Sequence, residues 1–228
     1  MYTRYDIKKK QKGNMLFIGI LCSMLIIAYV VGTLLSTVIF KNSGSKPKDT
    51  SVKNVVNNTP PQKSKVKFIC VQGGMFQKKQ YLDETKNILA PYGAVFTIPD
   101  EKGTRVLLGI YNETDGENMM KTLTSKNIEN SKLTFEVNIK DTCDSEIVEM
   151  VDAEIQILTK LNDKSVKSIQ TDDLKKWVAA LKEPNKDSKN ISLFVDLKKN
   201  INSLPKDMTN DKIADNYIYL YNLLKKIV

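Results

Sequence analysis

The period of the hydrophobic positions changes along the chain, and each change marks a segment. Met15 to Phe40 (MLFIGILCSMLIIAYVVGTLLSTVIF) is 26 residues without a single charge. As a helix this run would be about 39 Å long, more than the roughly 30 Å of a hydrocarbon core. It exceeds the roughly 7–15 apolar residues of a cleaved secretory peptide and has no small-x-small cleavage site, so a retained single transmembrane helix is expected. From Val66 the period becomes two. Val66–Gln72 (VKFICVQ), Ala94–Ile98, Thr104–Tyr111 and Leu133–Ile139 read as strands. Between them, Gln77–Tyr92 and Glu113–Lys126 carry helical spacing, and Pro99-Asp-Glu-Lys-Gly103 reads as a hairpin turn. The predicted order is β-α-β-β-α-β, which packs as a four-stranded antiparallel sheet with two helices on one face. That arrangement leaves the opposite face free for a ligand.

Beyond residue 140 the period is helical throughout. Ile147, Val151, Ile155 and Leu158 form one stripe, and Leu174, Trp177, Val178 and Leu181 a second. Ile191, Phe194, Val195 and Leu197 form a third, and Ile213, Tyr217, Leu220, Leu224 and Ile227 a heptad-like seam. Four amphipathic helices with short polar loops predict a C-terminal helical bundle, and the overall class is α+β. Tyr219 and Tyr221, off the main seam of the last helix, are candidates for a partner surface. The expected organisation is residues 1–14 as a tail, 15–40 as the anchor and 41–65 as a flexible linker. Residues 66–140 make the sheet domain and 141–228 the bundle.

Charge locates the partners. The chain of 228 residues holds 35 Lys and Arg against 26 Asp and Glu, a net charge of +9. Residues 1–14 contribute +4 and residues 41–65 contribute +5, while residues 66–228 carry 24 basic and 24 acidic groups. A nucleic-acid-binding fold carries its basic patch on the folded part, so no nucleic acid is expected. The compact basic run Lys8-Lys9-Lys10-x-Lys12 next to the uncharged segment places residues 1–14 in the cytoplasm. The remainder, 41–228, then lies outside it.

The chain has no histidine, which removes Ser-His-Asp and Cys-His machinery and every histidine metal site. The acidic pairs Asp83-Glu84, Asp100-Glu101 and Asp172-Asp173 fall at helix starts or turns, where solvation or capping explains them. No enzyme activity, cofactor or metal is expected. The cysteines Cys70 and Cys143 have no CxxC spacing, and separate free thiols are the default reading.

Two stretches carry a resemblance. The first strand and its turn read Val71-Gln72-Gly73-Gly74-Met75-Phe76, and the third strand reads Arg105-Val106-Leu107-Leu108-Gly109-Ile110-Tyr111. Together they resemble the V-Q-x-G-x-F and R-V-x-x-G-x-aromatic signatures of the SPOR domain, a peptidoglycan-binding module of cell division and sporulation. The resemblance covers residues 66–140. It departs from the family's pattern where Ile110-Tyr111 stand in place of Pro-Phe, and where 88 further residues follow the domain. It implies non-catalytic binding, on the open sheet face, of glycan strands stripped of their stem peptides. Gln72, Phe76, Arg105, Leu107 and Tyr111 are the peptidoglycan-binding candidates. Three have a structural alternative: Gln72 capping the Gly73-Gly74 turn, Arg105 pairing with Glu136, Phe76 filling the core edge; for Tyr111 the two roles balance. The expected partners are thus peptidoglycan, the lipid bilayer through residues 15–40, and a protein recruited by the C-terminal helices. In the alternative reading, the chain is a membrane-tethered adaptor acting through those helices.

Overall fold

The computed structural model describes residues 64–228. The chain enters on a long strand, β1 (Lys65–Phe76), followed by α1 (Lys79–Leu89) and a single 3-10 turn over Ala90–Tyr92. A hairpin of β2 (Phe96–Asp100) and β3 (Gly103–Asn112) leads into α2 (Glu113–Ser125), and β4 (Ser131–Asn138) closes the sheet. The antiparallel order is β2-β3-β1-β4, so the two helical crossovers interleave their strands. α2 starts where it does because the Asn112 side chain accepts the Asp115 amide at 2.9 Å, which satisfies one of the orphan donors of the first turn.

Four helices follow. α3 (Thr142–Leu161) is capped by the Asp141 carboxylate on the Asp144 amide at 3.0 Å. α4 (Asp172–Ala180), α5 (Ile191–Ser203) and α6 (Ile213–Ile227) complete the chain. Two three-residue strands, β5 (Ser168–Gln170) and β6 (Asp207–Thr209), pair antiparallel and tie the entry of α4 to the entry of α6. The buried Thr171 reinforces the tie, its hydroxyl donating to the Pro205 carbonyl at 2.8 Å.

The expected architecture is corrected here. The trailing helices do not make a bundle of their own. α3 and α6 lie directly on the sheet face opposite α1 and α2, and α5 and α4 form an outer tier against them. One apolar core joins Phe68 and Cys70 of β1, Phe96 of β2, Leu107 of β3, and Phe135 and Val137 of β4 to Ile147, Met150, Tyr217 and Leu220 of the helices. The Phe96 and Tyr217 rings stack with centroids 5.4 Å apart, and Phe135 meets Tyr221 edge-on at 5.4 Å. A smaller core on the other face joins Ile69, Val71, Val106 and Leu108 to Leu89 of α1 and Leu123 of α2. The sheet is therefore sandwiched, with no free face.

Further corrections follow from this packing. Tyr221 is buried and offers no aromatic surface to a partner, while Tyr219 is half-buried with its hydroxyl enclosed. Among the described residues no helix is long and apolar enough to cross a membrane. The expected anchor, residues 15–40, lies outside the described residues, as do the tail and all but the last two residues of the linker.

Candidate functional site

The five candidate residues divide into three groups. Gln72 and Arg105 meet. The Arg105 guanidinium donates through Nη1 to Gln72 Oε1 at 2.7 Å, and the Gln72 amide donates on to Ser131 Oγ at 3.2 Å. On its other side Arg105 donates through Nε and Nη2 to Asp100 Oδ2, both at 2.9 Å. Both donors share the one carboxylate oxygen, a charge-assisted contact. The bonded Arg105 fork, with help from the Lys102 amide, holds the Asp100 carboxyl below its ordinary range. Arg105 thus pairs with Asp100, while Glu136 is taken by Lys65 at 2.6 Å. The strip Asp100–Arg105–Gln72–Ser131 lies at one end of the sheet, half-exposed. Lys225, in the last turn of α6, joins Pro99, Asp100 and Glu101 around a shallow hollow of about 430 Å³ beside it.

Leu107 lies on the same face of the sheet but is fully buried under the trailing helices. The expectation that it contacts sugar is corrected: that surface is core. Phe76 and Tyr111 point to the opposite face, toward α1 and α2. Both owe this to one backbone device. Gly74 has φ +155° and Gly109 φ +140°, and in each case the aromatic two residues on lies against the bare Cα. A Cβ on Gly74 would come within 2.5 Å of the Phe76 ring, and one on Gly109 within 2.7 Å of the Tyr111 hydroxyl. Tyr111 is buried and donates its hydroxyl to the Leu108 carbonyl at 3.0 Å. It is therefore placed as a structural strut and not as a sugar platform.

The pairing of β1 with β3 slips at these glycines. Val71 faces Gly109 but Gln72 faces Leu107, and Gly74 then faces Val106. Such bulges bend a strand and re-aim the side chains beyond them. Ile110, which strict alternation would place under α1 and α2, turns to the other core. Gln72 and Arg105 keep the shared face that alternation assigns them. The two glycine-x-aromatic signatures thus coincide with the slips in the β1–β3 pairing.

Other groups with chemical potential are spread through the fold. Cys70 and Cys143 are both buried and unbonded. Burial pushes the Cys70 thiol well up, and burial with the nearby Asp141, Asp144 and Glu146 carboxylates pushes Cys143 up to about 11. Neither supplies a thiolate near neutral pH. Among the described residues no three Cys, Asp or Glu groups cluster as a metal site.

Periodicity missed one polar feature. Glu154 of α3 is completely buried, and neither carboxyl oxygen has a hydrogen-bond partner among the described residues. Its signal was present, since it follows Val151 by three positions and precedes Leu158 by four on the apolar stripe. A groove on α5, lined in part by lysines, went unread as well.

No protein-family model matches the chain, and neither a curated protein nor a solved structure is similar enough to match it.

Proposed function

We propose that this chain is a non-catalytic recruitment module, holding a protein partner through the outward surface of the trailing helices. One observation carries the reading. The sheet face on which a glycan strand would lie is filled by α3 and α6, so recognition falls to the outer tier and the outward side of α6. The uncharged run 15–40 and the basic residues before it support attachment to the cytoplasmic membrane, with the folded part outside the cytoplasm. The absence of histidine and the high thiol pKa values support a binding role over catalysis.

A photoreactive amino acid placed singly at Trp177, Val195 and Asn222 of the full chain tests this in intact cells. The expected outcome is a defined protein adduct from one or more of these positions. Adducts from none of them would overturn the reading.

The polar strip at the sheet end supports a second, narrower reading. There a glycan strand, in cell division or sporulation, would contact the chain end-on through Gln72, Arg105 and Ser131. The full chain in detergent, mixed with sacculi before and after removal of stem peptides, separates the two. Recruitment expects it to stay in the supernatant. Pelleting that Arg105→Ala and Gln72→Ala abolish would establish the glycan reading instead.

A further inference from the structure

The outer tier carries a groove of about 510 Å³, between α5 and the segment that follows α4. Its apolar lining comes from Pro184, Ile191 and Phe194, with Val195 on the lip at 54% exposure. A branched apolar side chain this exposed beside a concavity is unlike the scattered apolar atoms of an ordinary surface. Lys186, Lys198 and Lys199 border the groove, with Glu183 the one acid in its lining.

Lys186 and Lys199 are chemically unspent, and Lys198 acts only at a distance on the buried Glu146 carboxylate of α3. Among the described residues none of them has a carboxylate within 4.0 Å, whereas Lys65, Lys67 and Lys206 are each paired. Lys198 is held in place all the same, its ammonium 5.7 Å from the centroid of the Phe194 ring. A cation over an aromatic face stays oriented without being neutralised. The groove thus presents an apolar floor and a positive rim in which Lys198 is held in place.

We infer that this groove binds a short acidic, amphipathic peptide segment of a protein partner, with leucine- or phenylalanine-type side chains on Ile191 and Val195 and carboxylates on the lysines. The inference rests on the recruitment reading and gives that partner its chemistry. Charge complementarity selects this occupant. The chain's own linker, at +5, is repelled by the same rim. The volume falls within the range of about 300–1,000 Å³ typical of ligand pockets.

Selection of a random peptide library on the full chain in detergent tests this. Peptides rich in Asp or Glu and in Leu or Phe are expected. Binding should weaken about tenfold or more in the Lys198→Glu, Lys199→Glu double variant and recover with peptides whose acids are exchanged for lysines. An unchanged circular dichroism spectrum and thermal midpoint show that the variant is folded. Val195→Asp, which leaves the rim intact, should also repel the acidic peptides. Neutral or basic selected peptides, or acidic ones indifferent to these variants, would overturn the inference. So would loss of a dimer in the double variant, which assigns the groove to a second copy. Charge-sensitive binding to phosphatidylglycerol vesicles without peptide binding would assign it to lipid and overturn the inference too. A protein adduct at Trp177 or Asn222 alongside any of these results leaves recruitment standing and removes only the groove.

Discussion

Replacing Glu154 by leucine is expected to stabilise the fold strongly at about pH 9 and far less at about pH 4. Burial alone raises this carboxyl from 4.5 to about 8, because no partner among the described residues offsets the desolvation of its charged form. The Tyr219 hydroxyl on α6 lies in the field of Glu154 and of the exposed Asp196 carboxylate on α5. Burial, and then the charges of Glu154 and Asp196, raise the Tyr219 hydroxyl further above its ordinary value. An acid whose folded value is raised binds its proton more tightly in the native state. Its favourable protonated form is fully available below about pH 4.5, and stability falls as pH rises toward 8. Each pH unit in that window removes about 1.4 kcal/mol, so the loss is about 5 kcal/mol, a large part of a domain's usual 5–15 kcal/mol. Urea unfolding across pH measures it. Glu154→Gln should flatten the profile, and Glu154→Leu should flatten it at a higher level. Equal gains at both ends of the range would show that Glu154 is solvated.

Gly109→Val is expected to destabilise the protein by about 3 kcal/mol or more. The valine would need a positive φ that β-branched residues avoid, and its Cβ would strike the Tyr111 ring. Tyr111→Ala removes that ring, together with a buried aromatic and its bond to the Leu108 carbonyl, at about 3–5 kcal/mol. In the double variant the steric part of the valine penalty disappears, so the combined loss should fall well short of additive. Strict additivity in denaturant unfolding would show that glycine and tyrosine act separately.

The strands and helices were largely legible because their periods are clean. Leu133, Phe135 and Val137 alternate in β4, and the apolar stripes mark α3 through α6. What was not legible was which faces meet. The sequence did hold the warning. Val106, Leu107 and Leu108 are consecutive and apolar, a run consistent with a strand covered on both sides. Phe68, Cys70, Phe96 and Leu107 also put large or buried side chains on the face supposed to be open. Local pattern assigns a residue to a face, but only the packing of distant helices decides what covers that face. The slip at Gly109 lies beyond alternation as well, since it depends on pairing with β1. In the same way, the partnership of Gln72 with Arg105 was within reach because both keep the face that alternation assigns them, whereas Asp100 entered through the hairpin's geometry.

The reading turns on the seal that α3 and α6 make over the sheet, and Cys70 reports on it. Its side chain sits in the core beneath those helices, at 0% exposure. Maleimide labelling of the full chain, resolved by peptide mass spectrometry, gives its reactivity apart from Cys22 and Cys143. Cys70 should label only as fast as the protein unfolds globally, and promptly in denaturant. Rapid native labelling of Cys70, with the fold intact, would mean that the helices leave the sheet face open and would contradict the account.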